Sequence, residues 1–370
     1  MNVGLPGTNR EALEQFLATG CIALQRSPLF DMPPGPMPET FDFARIEGMM
    51  LGLAIGDALG NTSESQHPAE RFARYGEIRD YLPNRHAAGR RVGLPSDDTQ
   101  LAFWTLEQWL ADGELNLDHI AQCFCSRRIF GIGKAVEEFV RRYQTGTPWY
   151  QSGIASAGNG ALMRIAPAVI PHRRAGGSDL WVDAALLAML THNDPASISA
   201  CLALIAMLWQ VLQMETPPDP WWWLETYVAV AKDLEGNTCY RARGGDFADY
   251  QGPVWQFVAT HVGAAYREGL TTLDACNRWY SGAYLLETLP SVLYILMCYG
   301  DDPEKAIVRA VNDTWDNDTV AAIVGAAVGA LHGRERLPQR WRTDLLGRTM
   351  ADDDGKIGAL LQAANRRWMW

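Results

Sequence analysis

Gly48, Gly52, Gly56 and Gly60 recur every four residues through an otherwise apolar run, and this spacing restricts packing more than any other feature of the 370-residue chain. In a helix it places four positions without side chains on one slowly turning face. Each glycine costs about 1 kcal/mol relative to alanine in a helix interior, and close approach of another helix would offset that. Gly325 and Gly329, set among alanines in a second apolar run, repeat the device. The helices carrying the two runs are expected to lie near each other and to frame a site. Dense core packing without chemistry would leave the same glycine pattern.

The residues beside those runs decide between the two. Asp57 and Glu64 lie at and just after the end of the first run, and Asp316-Asn317-Asp318-Thr319 opens the second. A matching cluster, Ser96-Asp97-Asp98-Thr99, opens a third helix-like run. Helix capping and dipole attraction explain one oxygen-bearing side chain at each start. They do not explain adjacent Asp97 and Asp98, or a second carboxylate two positions after Asp316. Like charges held close need a cation, a proton or good solvation. Brought together, Ser96, Asp97, Asp98, Asp316, Asp318 and Thr319 would supply hard oxygen ligands for one or two Mg2+ or Mn2+ ions. The few histidines offer no competing zinc motif; His192 could face a pocket or be a satisfied structural histidine.

Residues 152–164 form the third motif. Ser152, Gly153, Ser156, Gly158, Asn159 and Gly160 lie in a loop whose backbone N–H groups can converge on an anion. It has neither a GxGxxG pattern nor a terminal Gly-Lys-Ser/Thr, so it is not a Rossmann or Walker A loop. Beside an acidic metal site it favours a substrate with a diphosphate and a hydroxylated sugar. Arg164, inside an apolar run, is expected to form an internal ion pair.

Helical periodicity dominates from residue 43 onward, with candidates at 43–59, 99–110, 117–143, 180–190, 195–214, 222–234, 254–268, 283–299, 303–311 and 319–331. Alternating strands are scarce, so a compact all-α body is expected. Residues 1–40 read as an extension from a body at 41–370: a short amphipathic helix at 9–24, then an irregular stretch with four prolines between 31 and 40. It could be a packed lid, a partner-binding arm or a plain tail. A formal charge of −11 argues against a broad nucleic-acid surface. Seven cysteines without paired CxxC sites argue against a disulfide scaffold or structural zinc. No run approaches the roughly 20 apolar residues of a membrane span; a reduced cytoplasmic setting is the simplest reading.

These motifs in this order resemble the ADP-ribosylglycohydrolase family, over residues 45–333. The resemblance rests on Gly52-Leu53-Ala54-Ile55-Gly56-Asp57-Ala58-Leu59-Gly60, on Glu64, on the two acidic clusters, and on Gly158-Asn159-Gly160-Ala161-Leu162-Met163-Arg164. It implies an all-helical fold with a binuclear magnesium or manganese cleft. Ser96, Asp97 and Asp98 would lie on one side of the ions and Asp316, Asp318 and Thr319 on the other, with the 152–160 loop around the diphosphate. The implied reaction is hydrolysis of ADP-ribose from a modified protein, most simply at arginine, with Glu64, Asp97, Asp98 and Asp316 as catalytic carboxylates and Glu64 or Asp97 taking the water proton. Trp149, Tyr150 and Tyr284 are candidates to stack on adenine. The family also implies an alternative, an immunity protein that blocks an ADP-ribosyltransferase toxin. Two departures from the family pattern stand out: Ser96 replaces the Thr of many members while keeping a hydroxyl, and Thr314-Trp315-Asp316-Asn317-Asp318-Thr319 replaces a more usual glycine-rich pattern, with Trp315 and Asn317 bearing on substrate shape and loop position.

Overall fold

A computed structural model of the protein describes residues 7–347 and 356–368. The first six residues of the extension, residues 348–355 and the last two residues lie outside that description. Helices carry the architecture. The first group is α1 (Asn9–Thr19), α2 (Ala44–Gly60), α3 (Pro68–Tyr75), α4 (Asp97–Asp112), α5 (Leu117–Ser126) and α6 (Lys134–Gln144). The middle of the chain holds α7 (Trp149–Ser152), α8 (Val169–His172), α9 (Asp179–Met189), α10 (Pro195–Val211) and α11 (Pro220–Glu235). Then come α12 (Val254–Glu268), α13 (Thr272–Arg278), α14 (Leu285–Tyr299), α15 (Pro303–Asp313), α16 (Asn317–His332), α17 (Gln339–Asp344) and α18 (Lys356–Trp368). Among the described residues the strands are one short antiparallel pair, β1 (Tyr240–Arg241) and β2 (Gln251–Gly252). The fold is all-α, as expected.

Local chemistry sets the helix ends. Proline at the first helical position opens α10, α11 and α15, each behind an aspartate (Asp194, Asp219 and Asp302) whose carboxylate accepts first-turn N–H groups. The helix expected over 117–143 is two helices. The first ends at Ser126, where Arg127 turns extended at φ −119°, and Gly131, at a left-handed φ of 81°, bends the connection that leads to α6. A Cβ on Gly131 would stand 2.9 Å from Asp97 Oδ1. Apolar periodicity on both sides of this break conceals it.

At the centre, α2 and α16 run antiparallel in backbone contact. A Cβ on Gly52 would collide with the carbonyl oxygen of Gly325, one on Gly56 with Ala321, and one on Gly48 with Gly329. The last rung is Gly60, where a Cβ would strike Asp318 Cα. Residues from Asn317 to Leu331 are all buried, so α16 is the central helix of the core. The glycine ladder therefore ends on the acidic loop.

Within the extension, α1 stops at Thr19 because Gly20 turns left-handed at φ 68°. Ala12, Leu13 and Phe16 are buried. Asn9 donates to Asp183 at 2.9 Å and Arg10 donates to Asp179 at 2.8 Å, tying α1 to α9. The proline-rich stretch is irregular and is pinned by Trp181 Nε1 donating to the Met32 carbonyl. All seven cysteines are free. No described helix is long and apolar enough to cross a membrane.

The ladder predicts opposite outcomes for two glycine-to-alanine changes. Gly52→Ala should lower unfolding stability by about 3 kcal/mol, because overpacking against main chain outweighs helix propensity. Gly358→Ala, with nothing within 4 Å of its Cβ position in α18, should be neutral or stabilising by up to about 1 kcal/mol. Denaturant midpoints of the two variants check this.

Candidate active site

Asp57, at the end of α2, organises one wall of the site. Its carboxylate accepts from Ser96 N and from Ser96 Oγ, the latter at 2.6 Å. It also accepts from Thr99 N, from Thr99 Oγ1 at 2.6 Å, and from Asn61 Nδ2 at 3.0 Å. It thus caps α4 from another helix. Ser96, at the capping position, makes no side-chain cap bond of its own, and Asp316 at the start of α16 makes none either. Capping accounts for neither acidic cluster. Asp97 and Asp98 enter the first turn of α4 with carboxylates left for another purpose.

The opposite wall comes from the loop between α15 and α16. Arg71, fully buried on α3, donates to the carbonyls of Val311, Thr314, Trp315 and Gln66 at 2.8–3.3 Å. Burial lowers its pKa to about 10, so the guanidinium stays charged. Asn317 is also fully buried, and its amide donates to Gly60 O, Ser63 Oγ and Val311 O. Of the two changed positions in this loop, Asn317 therefore fixes loop position, while Trp315 faces a cleft.

Oxygens of Glu64, Asp316 and Asp318 lie within 4.8 Å of one another. Asp97, Asp98 and Thr319 line the same cleft, of about 320 Å³, outside that trio. Ser96 opens instead on an adjoining cleft that also reaches Glu64. Burial is the main force raising the pKa values of Asp97, Asp98 and Asp318, with the surrounding carboxylates adding to it. Burial and Asp318 push Asp316 up to about 8. Glu64 is exposed on its outer side while its carboxyl faces the acidic wall; desolvation, Asp316 and Asp57 raise it to about 7. Asp98 Oδ1 is buried without a hydrogen-bond partner among the described residues. A hard divalent cation would satisfy that orphan oxygen and neutralise the cluster, so this donor set fits one.

The 152–164 loop divides into two parts. Ser156, Gly158, Asn159 and Gly160 line the cleft; Ser152 and Gly153 do not. The Ser152 hydroxyl donates to the Thr147 and Pro148 carbonyls, and Gly153 allows close packing against the Met189 carbonyl. Asn159 spends its amide on Asp316 Oδ2 at 2.5 Å and Thr288 Oγ1 at 3.0 Å, so it positions a carboxylate. Arg164 forms no ion pair among the described residues: it donates to Leu187 O and to Thr191 Oγ1 at 2.8 Å, and lies over Phe124. Thr191 in turn contacts His192 Nδ1 at 2.8 Å. Since Arg164 can only donate, the Thr191 proton goes to His192 Nδ1, leaving Nε2–H for the cleft. Burial, with help from Arg164, lowers the His192 pKa to about 3, so the ring is neutral. Trp149 and Tyr150 pack on Phe16 away from the cleft, whereas Tyr284 lies beneath Arg243.

Sequence reasoning did not anticipate Arg71, Arg243, Lys134 or Tyr280 at this site. Arg243 forms a bidentate pair with buried Glu287 at 2.9 and 2.7 Å, and Lys134 begins α6 at the cleft rim. An isolated Arg, Lys or Tyr carries no spacing signal, whether it lies in a loop or on a helix. Gly131 and Gly133, which break the 117–143 run, are the one cue that pointed toward Lys134.

The sequence model of the ADP-ribosylglycohydrolase family matches residues 37–368. The chain belongs to that family, and so to a class of enzymes that hydrolyse ADP-ribose from modified targets. It is 27% identical over 328 residues to the ADP-ribosyl-dinitrogen reductase glycohydrolase of Rhodospirillum rubrum, covering 86% of this chain and 96% of that one. It is 26% identical to the ADP-ribosylarginine hydrolase Tri1 of Pseudomonas putida, covering 80% of this chain and 73% of that one. For the ADP-ribosylhydrolase ARH3 of Xenopus tropicalis the identity is 24%, over 85% and 94%. A solved structure titled ADP-ribosylglycohydrolase-related protein complex superposes with a TM-score of 0.62 at 26% identity, covering 88% of this chain and 98% of that one.

The carboxylates give a pH test. Their folded pKa values exceed unfolded values near 4, so cation-free protein should lose stability as pH rises from about 4, the loss levelling off above about 7 to 8 once Glu64 and Asp316 have ionised. Cation binding displaces those protons. Mg2+ or Mn2+ should therefore raise the melting temperature more at about pH 8.5 than at about pH 5.5. A melting temperature indifferent to both ions at both pH values would argue against cation binding here.

Proposed function

We propose that the chain hydrolyses the N-glycosidic bond between ADP-ribose and an arginine side chain of a modified protein, reversing mono-ADP-ribosylation. The observation that carries this reading is Glu64 poised with Asp316 and Asp318 where an anion-binding loop meets an acidic cleft. The names of the Rhodospirillum and Pseudomonas relatives support a protein-linked, arginine-type substrate. We take residues 41–370 as the catalytic unit and residues 1–40 as an arm fastened to it. The packing of α1 on α9 gives that arm a task inside the chain, so the toxin-blocking alternative is not carried forward.

Asp97, Asp98, Asp316 and Asp318, with the hydroxyls of Ser96 and Thr319, would hold two Mg2+ ions, or Mn2+ in their place. Such ions supply polarisation of a water molecule and a grip on ribose hydroxyls. The chain's own groups do the rest. Glu64, at the cleft beside Asp316 and Asp318, is placed to take a proton from water, with Asp97 as second candidate. Asn159 holds Asp316 in place. The backbone N–H of Gly160, the neutral Nε2–H of His192 and the N-terminus of α6 at Gly133–Lys134 present donors to a diphosphate, while the Gly158 N–H donates to Ser156 Oγ. Asp57 keeps α4 in register through four donor groups of Ser96 and Thr99.

Incubation with an arginine-ADP-ribosylated protein and Mg2+ should release free ADP-ribose. Asp97→Asn and Asp316→Asn should each lower kcat/KM by at least about 100-fold while circular dichroism stays native. Arginine-linked substrate should be preferred over serine-linked substrate in a side-by-side assay. No release with either ion from any linkage would reject the proposal.

A further inference from the structure

Three clefts meet at Glu64. One carries the anion-binding loop. The second, of about 420 Å³, opens past Trp315, Tyr280 and Arg243; the third, of about 590 Å³, opens past Arg85, Arg128 and Phe130. If the nucleotide part of the substrate fills the first, the side chain bearing it leaves by one of the other two.

Charge separates them. Arg85 and Arg128 line the third cleft without an ion pair among the described residues, so two cations against the single carboxylate of Glu64 oppose a guanidinium there. In the second, the cation Arg243 is neutralised by its bidentate pair with Glu287, and Glu64 and Asp316 lie at the floor. Its wall is aromatic. The Trp315 indole stacks on His67 with centroids 4.9 Å apart and planes 15° apart, and meets Tyr280 edge-on at 4.4 Å. Aromatic faces beside carboxylates are the chemistry that receives a planar cation.

The backbone is independent evidence. Among the described residues, four that are not glycine have a positive φ: Ser65, Ala88, Tyr280 and Ser281. Three of them border this cleft: Ser65 and Tyr280 line it, and Ser281 adjoins its Gly282. Left-handed geometry costs about 1–2 kcal/mol for each such residue. The surroundings enforce it here. Trp315 N donates to Ser281 Oγ at 3.1 Å, Asp316 N donates to Ser281 O at 3.0 Å, and Arg71 donates to Trp315 O at 3.3 Å. The strained turn holds Tyr280 against Trp315 at the mouth. A tryptophan serving only as core filler would be buried like Trp104 and Trp209; Trp315 is half-buried.

We infer that the Trp315–Tyr280 wall is the acceptor-side subsite, which receives the guanidinium of the modified arginine. This inference rests on the hydrolase reading above and assigns Trp315 as a specificity-determining residue.

Agmatine, a free guanidine probe, separates the two readings because it needs no turnover. In calorimetric titrations of ADP-ribose-saturated protein in Mg2+ buffer, Trp315→Ala should weaken agmatine binding about tenfold and Trp315→Phe no more than about threefold. ADP-ribose affinity, the control for folding, should change by less than about twofold in both. In the hydrolysis assay, Trp315→Ala should raise KM for arginine-linked substrate with kcat retained, and leave serine-linked substrate unaffected. Unchanged agmatine affinity in Trp315→Ala, or a parallel fall in ADP-ribose affinity, overturns the subsite. Absence of ADP-ribose release by the unmodified protein overturns the hydrolase reading instead, and the agmatine titration still decides the subsite.

Discussion

Main-chain carbonyls of Gly325 and Gly329 occupy the space that side chains on α2 would need, and the site depends on that contact. Helices that pack through side chains can shift by rearranging rotamers, whereas helices in backbone contact have almost no such freedom. The ladder reaches from Gly48 to Gly60, and its last rung lies against Asp318 Cα. Asp57 is buried in the last turn of α2, and Asn317 bonds the start of α16 to Gly60 and Ser63. Two polypeptide segments more than 250 residues apart are thereby set at a spacing that no side-chain movement alters.

That rigidity bears an electrostatic cost. Asp97, Asp98 and Asp318 are buried, with Asp316 and Glu64 beside them, and each carboxyl is pushed toward its neutral form by desolvation first and by its neighbours second. Asp57 has a different part, its oxygens being filled by donors from Ser96, Thr99 and Asn61. The amino ends of α4 and α16 both face the cluster and offset part of its charge, by about 0.3–1 kcal/mol for each helix. Repulsion among five carboxyls exceeds that offset. Buried acids with an orphan oxygen at Asp98 are the surroundings that the proposed cations would fit.

The sequence was most legible where chemistry is local. The glycine interval, both acidic clusters and the all-helical pattern could be read directly because periodicity and adjacency are linear properties. Direction was not legible. Asn159 looks the same in sequence whether its amide meets a phosphate or Asp316, and Ser152 whether its hydroxyl faces a cleft or the Pro148 carbonyl. Arg164 was expected to find an acid, yet its partners are a carbonyl and Thr191, because burial can be inferred from an apolar run and the partner cannot. Arg71 was invisible for a related reason. It acts on carbonyls some 240 residues away, and carbonyls leave no trace in residue identity.

The two changed positions in the 314–319 loop, Trp315 and Asn317, show why a loop can change specificity while keeping its scaffold. Asn317 points inward, and its donors replace nothing that a substrate could touch. Trp315, two residues earlier, points outward from a backbone that Arg71 and Ser281 hold from both sides. Alternation of inward and outward residues through a pinned loop separates the group that keeps Asp316 and Asp318 in place from the group that meets the substrate's variable part. The ADP-ribose moiety is common to every substrate of such an enzyme, so selection among linkages has to come from contacts with what ADP-ribose is attached to. A bulky aromatic at the mouth can change that contact without moving a carboxylate, and the strained Tyr280–Ser281 turn keeps it from collapsing into the cleft.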